Sequence, residues 1–284
     1  MPIRVSAYLE GGAEGTDALL DEPPDQEGLL TVVGVKHYID GALGSRGAAL
    51  FADYSDRPGH LGLLVQSADE LTARARRAHE AGYPVAIHAI GDCGIATALD
   101  SIAAAQGVDR TLRDRVEHAQ VIREQDVARL VALGVVASMQ PTHATSDMPW
   151  AEARVGPERL RGAYAWRTLM DAGALVVFGS DAPVEAHRPA LGMYAAITRQ
   201  DASGQPEGGW TPEQRLTIVE ALRAFSEGPA RAIGRDDLGV IRAGAVADLT
   251  IVASDPTGLS PASIRELAIV GTIVDGVLRR AEVR

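Results

Sequence analysis

Six polar side chains stand at or just after the ends of apolar, β-branched segments of this 284-residue chain. They are Lys36, His88, His118, Gln140, His143 and Asp181. The imidazoles and the carboxylate in this set are common ligands of zinc and related divalent metals. A lysine is almost never fully buried unless a charge pairs with it. Lys36, which follows the apolar run at 29–35, therefore needs an anionic partner or a chemical modification.

The segments that carry these residues alternate with helical patterns. We predict strands at residues 3–9, 31–39, 83–90, 114–121, 134–141 and 174–183. We predict helices at residues 67–82, with Ser67 as N-cap, at 124–134 and at 164–173, each ending at a glycine. This βαβ repetition requires a parallel sheet with right-handed crossovers. Because the carboxyl ends of parallel strands meet at one face, we expect the polar side chains to share a pocket there.

The pattern changes after the sixth predicted strand. Residues 211–234 predict one long helix that begins with a capping box formed by Thr211 and Gln214. From residue 237 onward the chain has the pattern of short strands joined by glycine and Asp-Pro turns. We therefore predict a domain boundary near residue 235, which divides 1–235 from 236–284.

Each candidate residue has an ordinary structural interpretation as well. A histidine at a strand end is more often a hydrogen-bonded packing residue than a ligand, and Asp181 before Ala-Pro is typical of a residue that caps the next segment. Lys36 alone is typical of an edge-strand charge, and Cys93 of a small buried side chain. The occurrence of such residues at successive strand ends favours the metal site.

Composition and charge exclude several classes of protein. The formal net charge of −11 argues against nucleic acid or an anionic membrane as a partner. Cys93 is the only cysteine, which excludes an intrachain disulfide and fits a reducing compartment. The amino-terminal residues lack a signal-peptide layout, and no apolar run approaches the roughly 18 residues of a spanning helix. These features predict a soluble, cytoplasmic protein.

The ordered motifs "GVKHYIDGALGSRGAAL", "AIHAIGD", "RVEHAQ", "SMQPTHATSD" and "FGSDAPVE" resemble the amidohydrolase superfamily, in its amidohydrolase 3 branch. The later segment "GVIRAGAVADLTIVASDP" resembles the part of such chains that returns to a small β-sandwich. The resemblance implies an α/β fold of the (β/α)8 TIM-barrel type, with residues 1–235 forming part of the barrel and 236–284 the C-terminal part of the sandwich. It also implies one or two divalent metals, usually zinc, that activate a hydroxide for attack on an amide or related non-peptide C–N bond.

The resemblance also implies roles for individual residues. Lys36 matches a lysine that reacts with CO2 to form a carbamate, which would be an anion bridging two cations. His88 and His118 match metal ligands. Asp181 matches a ligand that also takes the proton from the attacking water, so it is the predicted catalytic residue. Residues predicted to line the substrate pocket are Asp92, Gln140, His143 and Trp150.

One motif of the family has no match. No two of the seven histidines are two residues apart, so the His-x-His pair of the family's first strand is missing. The six predicted strands match the family's third to eighth, and the chain resembles the C-terminal half to two-thirds of an amidohydrolase. Three interpretations remain open: a truncated product, a chain complemented by a separate N-terminal fragment, or a surviving remnant that associates with itself.

Two functions follow from this sequence. The first is a metal-dependent amidohydrolase that hydrolyses amide, N-acyl or formamide bonds of a small molecule. The alternative is a non-catalytic remnant that acts as a metal-binding or assembly protein. Without the His-x-His ligands, we expect weak metal binding and little or no hydrolysis from these 284 residues alone.

Overall fold

The structure is a computed structural model that describes residues 3–22, 28–106 and 113–279. Its strands are β1 Val5–Glu10, β2 Leu30–Tyr38, β3 Val85–Ala89, β4 Arg115–His118, β5 Val136–Met139, β6 Val176–Phe178, β7 Leu249–Val252, β8 Ile269–Val274 and β9 Val277–Arg279. Its α-helices are α1 Thr16–Asp21, α2 Ala68–Glu80, α3 Asp92–Ala105, α4 Glu124–Leu133, α5 Pro141–Asp147, α6 Ala151–Leu160, α7 Trp166–Asp171, α8 Pro189–Thr198, α9 Ile218–Phe225, α10 Glu227–Ala232 and α11 Pro261–Arg265. No helix among the described residues is both long and apolar enough to cross a bilayer.

Six strands form one parallel sheet, in which their spatial order β1-β2-β3-β4-β5-β6 is also their chain order. Val35 of β2 lies opposite Val85 of β3, and His88 of β3 lies opposite Glu117 of β4. The sheet is a curled half-barrel, with helices in the connections between its strands. This arrangement confirms the predicted fold class, an incomplete α/β barrel of about six units followed by a small β-segment.

The helices that the sequence predicted in this region are present. Helix α2 begins at the predicted N-cap: the Ser67 hydroxyl accepts a hydrogen bond from the Glu70 N–H, and the Glu70 carboxylate accepts one from the Ser67 N–H. Its apolar stripe, which includes Leu71, Ala75 and Ala78, is buried. The predicted helices 124–134 and 164–173 correspond to α4 and α7.

The long helix predicted at 211–234 is wrong. Thr211 adopts a left-handed conformation (φ 47°) and makes no side-chain cap, and only a short 3-10 turn, Pro212–Gln214, follows it. The capping box forms six residues later, where the Thr217 hydroxyl accepts a hydrogen bond from the Glu220 N–H and α9 begins. A glutamate carboxylate is a stronger acceptor for the N-cap N–H than a glutamine amide, which favours the later start. Ser226 (φ −130°, ψ −81°) then separates α9 from α10.

Contacts between Cα atoms divide the chain into two compact units. The strand unit comprises Val5–Met139 and Asp147–Val176, and the C-terminal unit comprises the described residues within Met1–Arg4, Gln140–Ser146 and Val177–Arg284. The C-terminal unit contains a three-stranded antiparallel sheet in the order β7-β8-β9. The final five residues of the predicted segment 236–284 lie outside the described part of the chain.

The two faces of the parallel sheet differ in polarity. On one face, Val35 of β2, Ile39 directly after β2, and Val85 and Ile87 of β3 are buried. Alternate residues of the same strands point to the other face, so Lys36 and His88 stand on that side. Arg115 and Glu117 of β4 share this second face through the register with β3. This second face is therefore charged, and it places polar side chains near the carboxyl ends of its strands.

Candidate metal centre

Three of the predicted metal ligands lie together in the strand unit, at the ends of β2, β3 and β4. The rings of His88 and His118 meet edge to face, with centroids 4.5 Å apart and planes at 69°. The ring of Tyr38 lies 5.7 Å from that of His88. The Nζ atom of Lys36 lies 4.6 Å from the centroid of the same tyrosine ring. Tyr38 thus lies near both Lys36 and His88.

Strand β4 ends at His118, where the backbone turns. His118 (φ 74°) and Ala119 (φ 44°) both have positive φ, which is uncommon for residues with a Cβ and costs of order 1–3 kcal/mol each. The preceding residue, Glu117, still pairs in the ladder with Ser138 of β5. The turn therefore takes His118 out of the regular alternation of the strand beside His88.

A buried ion pair lies on the same face of the sheet. Arg115 donates from Nε to Glu117 Oε1 at 2.6 Å and from Nη2 to Ser138 Oγ at 2.9 Å. Burial alone would raise the pKa of Glu117, but attraction to Arg115, with a further contribution from Lys36, holds it below its usual value. Glu117 is thus an anion that acts on Lys36. Our sequence analysis missed it, although the Arg-x-Glu spacing in β4 puts both side chains on one face.

A second residue that our sequence analysis missed, Asp40, follows β2. It is only 3% exposed, and its carboxylate accepts hydrogen bonds from three backbone N–H groups, those of Ala49, Ile90 and Gly91. Burial raises its pKa to about 6, against the effect of those three hydrogen bonds. The Nε2 atom of His88 lies 3.6 Å from Asp40 Oδ1. The signal in the sequence was an acidic residue between a buried strand and a glycine.

The predicted substrate-pocket residue Asp92 is the first residue of α3. Its Oδ1 accepts hydrogen bonds from the Phe51 N–H at 3.0 Å and the Cys93 N–H at 2.9 Å. Burial raises the pKa of Asp92, partly offset by these two bonds. The residue also lines a cavity of about 560 Å³ within the strand unit, together with residues such as Arg123 and Arg159.

Trp150, also predicted to line the substrate pocket, precedes α6 in the strand unit. A Cβ built on Gly44 would lie 3.4 Å from the indole ring of Trp150. The Arg154 guanidinium lies 5.6 Å from the centroid of the same ring. Trp150 therefore packs beside the glycine-rich loop that follows β2.

The other predicted site residues lie in the C-terminal unit. Nε2 of His143, in α5, lies 3.8 Å from Oδ2 of Asp181. The Asp181 side chain is 41% exposed, and its backbone is left-handed (φ 56°). Gln140 is buried, and its carbonyl accepts a hydrogen bond from the His143 N–H at 3.1 Å. His143, predicted only as a substrate contact, is thus placed beside the predicted catalytic carboxylate.

The fold and these residues define a class of protein: an incomplete (β/α) barrel with histidines at the ends of adjacent strands. A profile of the amidohydrolase family, in its amidohydrolase 3 branch, matches residues 1–279. The chain belongs to the amidohydrolase family, which confirms the resemblance seen in the sequence motifs.

Individual relatives agree with this assignment. The chain is 35% identical over 243 residues to the Bacillus subtilis (strain 168) protein YtcJ, covering 85% of this chain and 46% of that protein. It is 33% identical to an N-substituted formamide deformylase of Arthrobacter pascens, covering 78% of this chain and 41% of that enzyme. A solved structure of an uncharacterized metal-dependent hydrolase from Pyrococcus horikoshii OT3 is similar with a TM-score of 0.78 and 33% identity, covering 91% of this chain and 52% of that one. The chain thus spans about half the length of the proteins that it matches.

The chemistry of the donors suits a divalent metal ion. The strand unit offers two imidazoles in contact, and the C-terminal unit offers an imidazole beside a carboxylate. Nitrogen donors of histidine together with one carboxylate are a common ligand set for zinc and for related transition metals.

Proposed function

We propose that the protein is a metal-dependent amidohydrolase that hydrolyses a non-peptide C–N bond of an amide, N-acyl or formamide substrate. The observation that carries this proposal is the contact between His88 and His118 at adjacent strand ends, in a chain of the amidohydrolase family. A formamide substrate is supported by the similarity to the N-substituted formamide deformylase of Arthrobacter pascens.

The family resemblance supports the proposed metal ligands. His88, His118 and Asp181 would hold a divalent ion, zinc by preference. Such an ion would lower the pKa of water and polarise the substrate carbonyl. Lys36 would add a carbamate oxygen as a further anionic ligand after reaction of its neutral amine with CO2. In its unmodified form the Lys36 ammonium is attracted by Glu117.

The reaction assigns separate tasks to the side chains. The Asp181 carboxylate accepts the proton of the attacking water and delivers it to the leaving nitrogen, so the proton is conserved. His143, 3.8 Å away, orients that carboxylate. Asp92 would contact substrate through Oδ2, because Oδ1 already accepts two backbone hydrogen bonds. The remaining substrate contacts in the proposal are Gln140, His143 and Trp150.

The setting of the activity is part of the same proposal. We assign the catalytic barrel to residues 1–235 and the sandwich segment to 236–284. A cytoplasmic location is favoured by the single cysteine, Cys93, which is a free thiol. The substrate is a small molecule that carries the amide.

The test is zinc-dependent turnover by the 284-residue chain. Metal-free protein, zinc-loaded protein and chelated protein are compared on N-substituted formamides and N-acyl compounds. We expect slow hydrolysis that appears with zinc, disappears on chelation and is lost in Asp181→Asn.

Two outcomes would overturn this assignment. Turnover that survives complete removal of the metal would exclude the proposed chemistry. Zinc binding by a folded chain without turnover of any C–N substrate would instead support the alternative, a metal-binding or assembly protein that associates with itself or with a complementing N-terminal fragment.

A further inference from the structure

Asp40 joins the two loops that follow β2 and β3. Its Oδ2 accepts hydrogen bonds from the Ala49 N–H at 2.9 Å and the Gly91 N–H at 2.8 Å. Its Oδ1 accepts one from the Ile90 N–H at 3.0 Å. The loop after the Lys36 strand is thereby fixed to the residues that directly follow His88.

The carboxylate is confined on a further side by α3. A Cβ at Gly94 would lie 2.4 Å from Asp40 Oδ2, so only a glycine allows the helix to approach this closely. Together with the three hydrogen bonds, this close contact leaves the carboxylate one orientation. Its Oδ1 then faces His88, whose Nε2 lies 3.6 Å away.

We propose that Asp40 is a positioning residue that keeps the proton of the His88 imidazole on Nε2, so that the Nδ1 lone pair serves as the metal donor. The role as a metal donor rests on the proposed function. The physical basis is electrostatic: a carboxylate oxygen 3.6 Å from Nε2 favours an N–H at that nitrogen over a lone pair. Partners of this kind fix the tautomer of ligating histidines in metalloproteins.

Replacing Asp40 by asparagine reverses this preference. Oδ2 accepts two backbone hydrogen bonds and Oδ1 only one, so the amide oxygen takes the place of Oδ2 and the NH2 group takes that of Oδ1. The hydrogen bond from the Ile90 N–H is lost, which should lower the stability of this variant. The NH2 group then faces His88 Nε2 as a donor, which requires a lone pair on Nε2 and moves the proton to Nδ1. The predicted result of Asp40→Asn is the opposite tautomer of His88.

Asp114, which lies beside the start of β3, supplies a matched control. It is fully buried and accepts hydrogen bonds from His79 Nε2 at 2.8 Å, from the Val85 N–H at 2.9 Å and from Gln106 Nε2 at 3.0 Å. Asp114→Asn therefore disturbs a buried carboxylate of the same kind next to β3, but far along the strand from His88. We expect it to reduce stability without changing the His88 tautomer.

The measurement is NMR of the metal-free 284-residue chain with 15N-labelled histidine, in which His88→Gln identifies the His88 signals. The wild type and Asp114→Asn should show the proton on Nε2, and Asp40→Asn should show it on Nδ1. A chelator competition should then give a zinc affinity that is about 10–100-fold lower for Asp40→Asn than for Asp114→Asn.

The outcomes separate this inference from the proposed function. A wild-type His88 with its proton on Nδ1 overturns the inference even if Asp40→Asn fails to fold, and an unchanged tautomer in folded Asp40→Asn does the same. Failure of the wild type to bind zinc, with the tautomers as predicted, overturns the metal site and leaves the positioning role of Asp40 supported.

Discussion

Removing the carboxylate of Glu117 should cost the chain a large part of its stability. Glu117 and Arg115 pair at 2.6 Å on the sheet face that carries Lys36 and His88, and their side chains are only 12% and 16% exposed. Exposed ion pairs contribute about 0–1 kcal/mol, but breaking a buried pair by deleting one partner costs about 3–5 kcal/mol because the other charge stays buried. Because both side chains are largely buried, we expect Glu117→Ala to behave as the breaking of a buried ion pair.

The surroundings of Arg115 refine that magnitude. In Glu117→Ala the guanidinium still donates to Ser138 Oγ and still lies 5.3 Å from the centroid of the Tyr8 ring. These contacts offset part of the loss, so we expect about 3 kcal/mol, the lower end of the range. A domain of ordinary stability has only about 5–15 kcal/mol in total, so the change is easily measured.

The assay is urea unfolding of the metal-free chain as a double-mutant cycle. Glu117→Ala and Arg115→Met should each be strongly destabilising, and the double variant should be less destabilised than the sum of the two. Additive effects, or a loss below about 1 kcal/mol in Glu117→Ala, would show that the pair behaves as an exposed one and would refute this reasoning.

Two further predictions concern His79 and Lys36. Burial lowers the pKa of His79, but its hydrogen bond and attraction to Asp114 outweigh that effect and raise the pKa above the ordinary 6.5. The protonated His79 and its partner Asp114 therefore stabilise the folded state fully below about pH 6.5. This stabilisation is lost as the pH rises through the higher pKa of His79 in the folded state. Urea unfolding from pH 6 to pH 9 should show a fall in stability that His79→Gln lacks. Lys36→Ala should lower zinc stoichiometry, or zinc affinity by about tenfold or more, in equilibrium dialysis, and Lys36→Arg should not restore it, since a guanidinium forms no carbamate.

Each of these has a clear contrary result. Parallel pH profiles for the wild type and His79→Gln would show that the pair does not titrate as described. Unchanged zinc content and affinity in Lys36→Ala would remove Lys36 from the ligand set. Partial recovery of zinc binding by the Ala variant in the presence of a short carboxylic acid would support an anion site at that position.

The sequence predicted the parallel sheet and several of its helices because those features depend on local patterns. The β-branched runs of β2 and β3 and the capping box at Ser67 each carry their signal within a few residues. The same local reasoning was wrong at 211–234, where two capping signals compete. The predicted box would pair Thr211 with Gln214, whereas the box that forms pairs Thr217 with Glu220. A glutamate carboxylate is the stronger acceptor of the two, which favours the second box.

The predicted site residues were found one strand at a time, whereas the residues missed at the site act across strands. Glu117 matters to Lys36 because β3 lies between their strands and brings their side chains to one face. Asp40 lies beside His88 because the loops after β2 and β3 both donate backbone hydrogen bonds to its carboxylate. Neither relation has a fixed spacing in the chain, so the local signals for Glu117 and Asp40 do not show which residue each of them acts on.

Strand β3 is held at both ends by a buried carboxylate, and this bears on how His88 is positioned. Asp114 accepts the Val85 N–H at the start of the strand, and Asp40 accepts the N–H groups of Ile90 and Gly91 just beyond its end. A metal ligand tolerates little displacement, and a strand of five residues fixed at both ends has little freedom to slide along the sheet. It follows that the two aspartates have different roles. Asp114 helps to fix the position of β3, and Asp40 helps to fix both that position and the tautomer of the His88 imidazole.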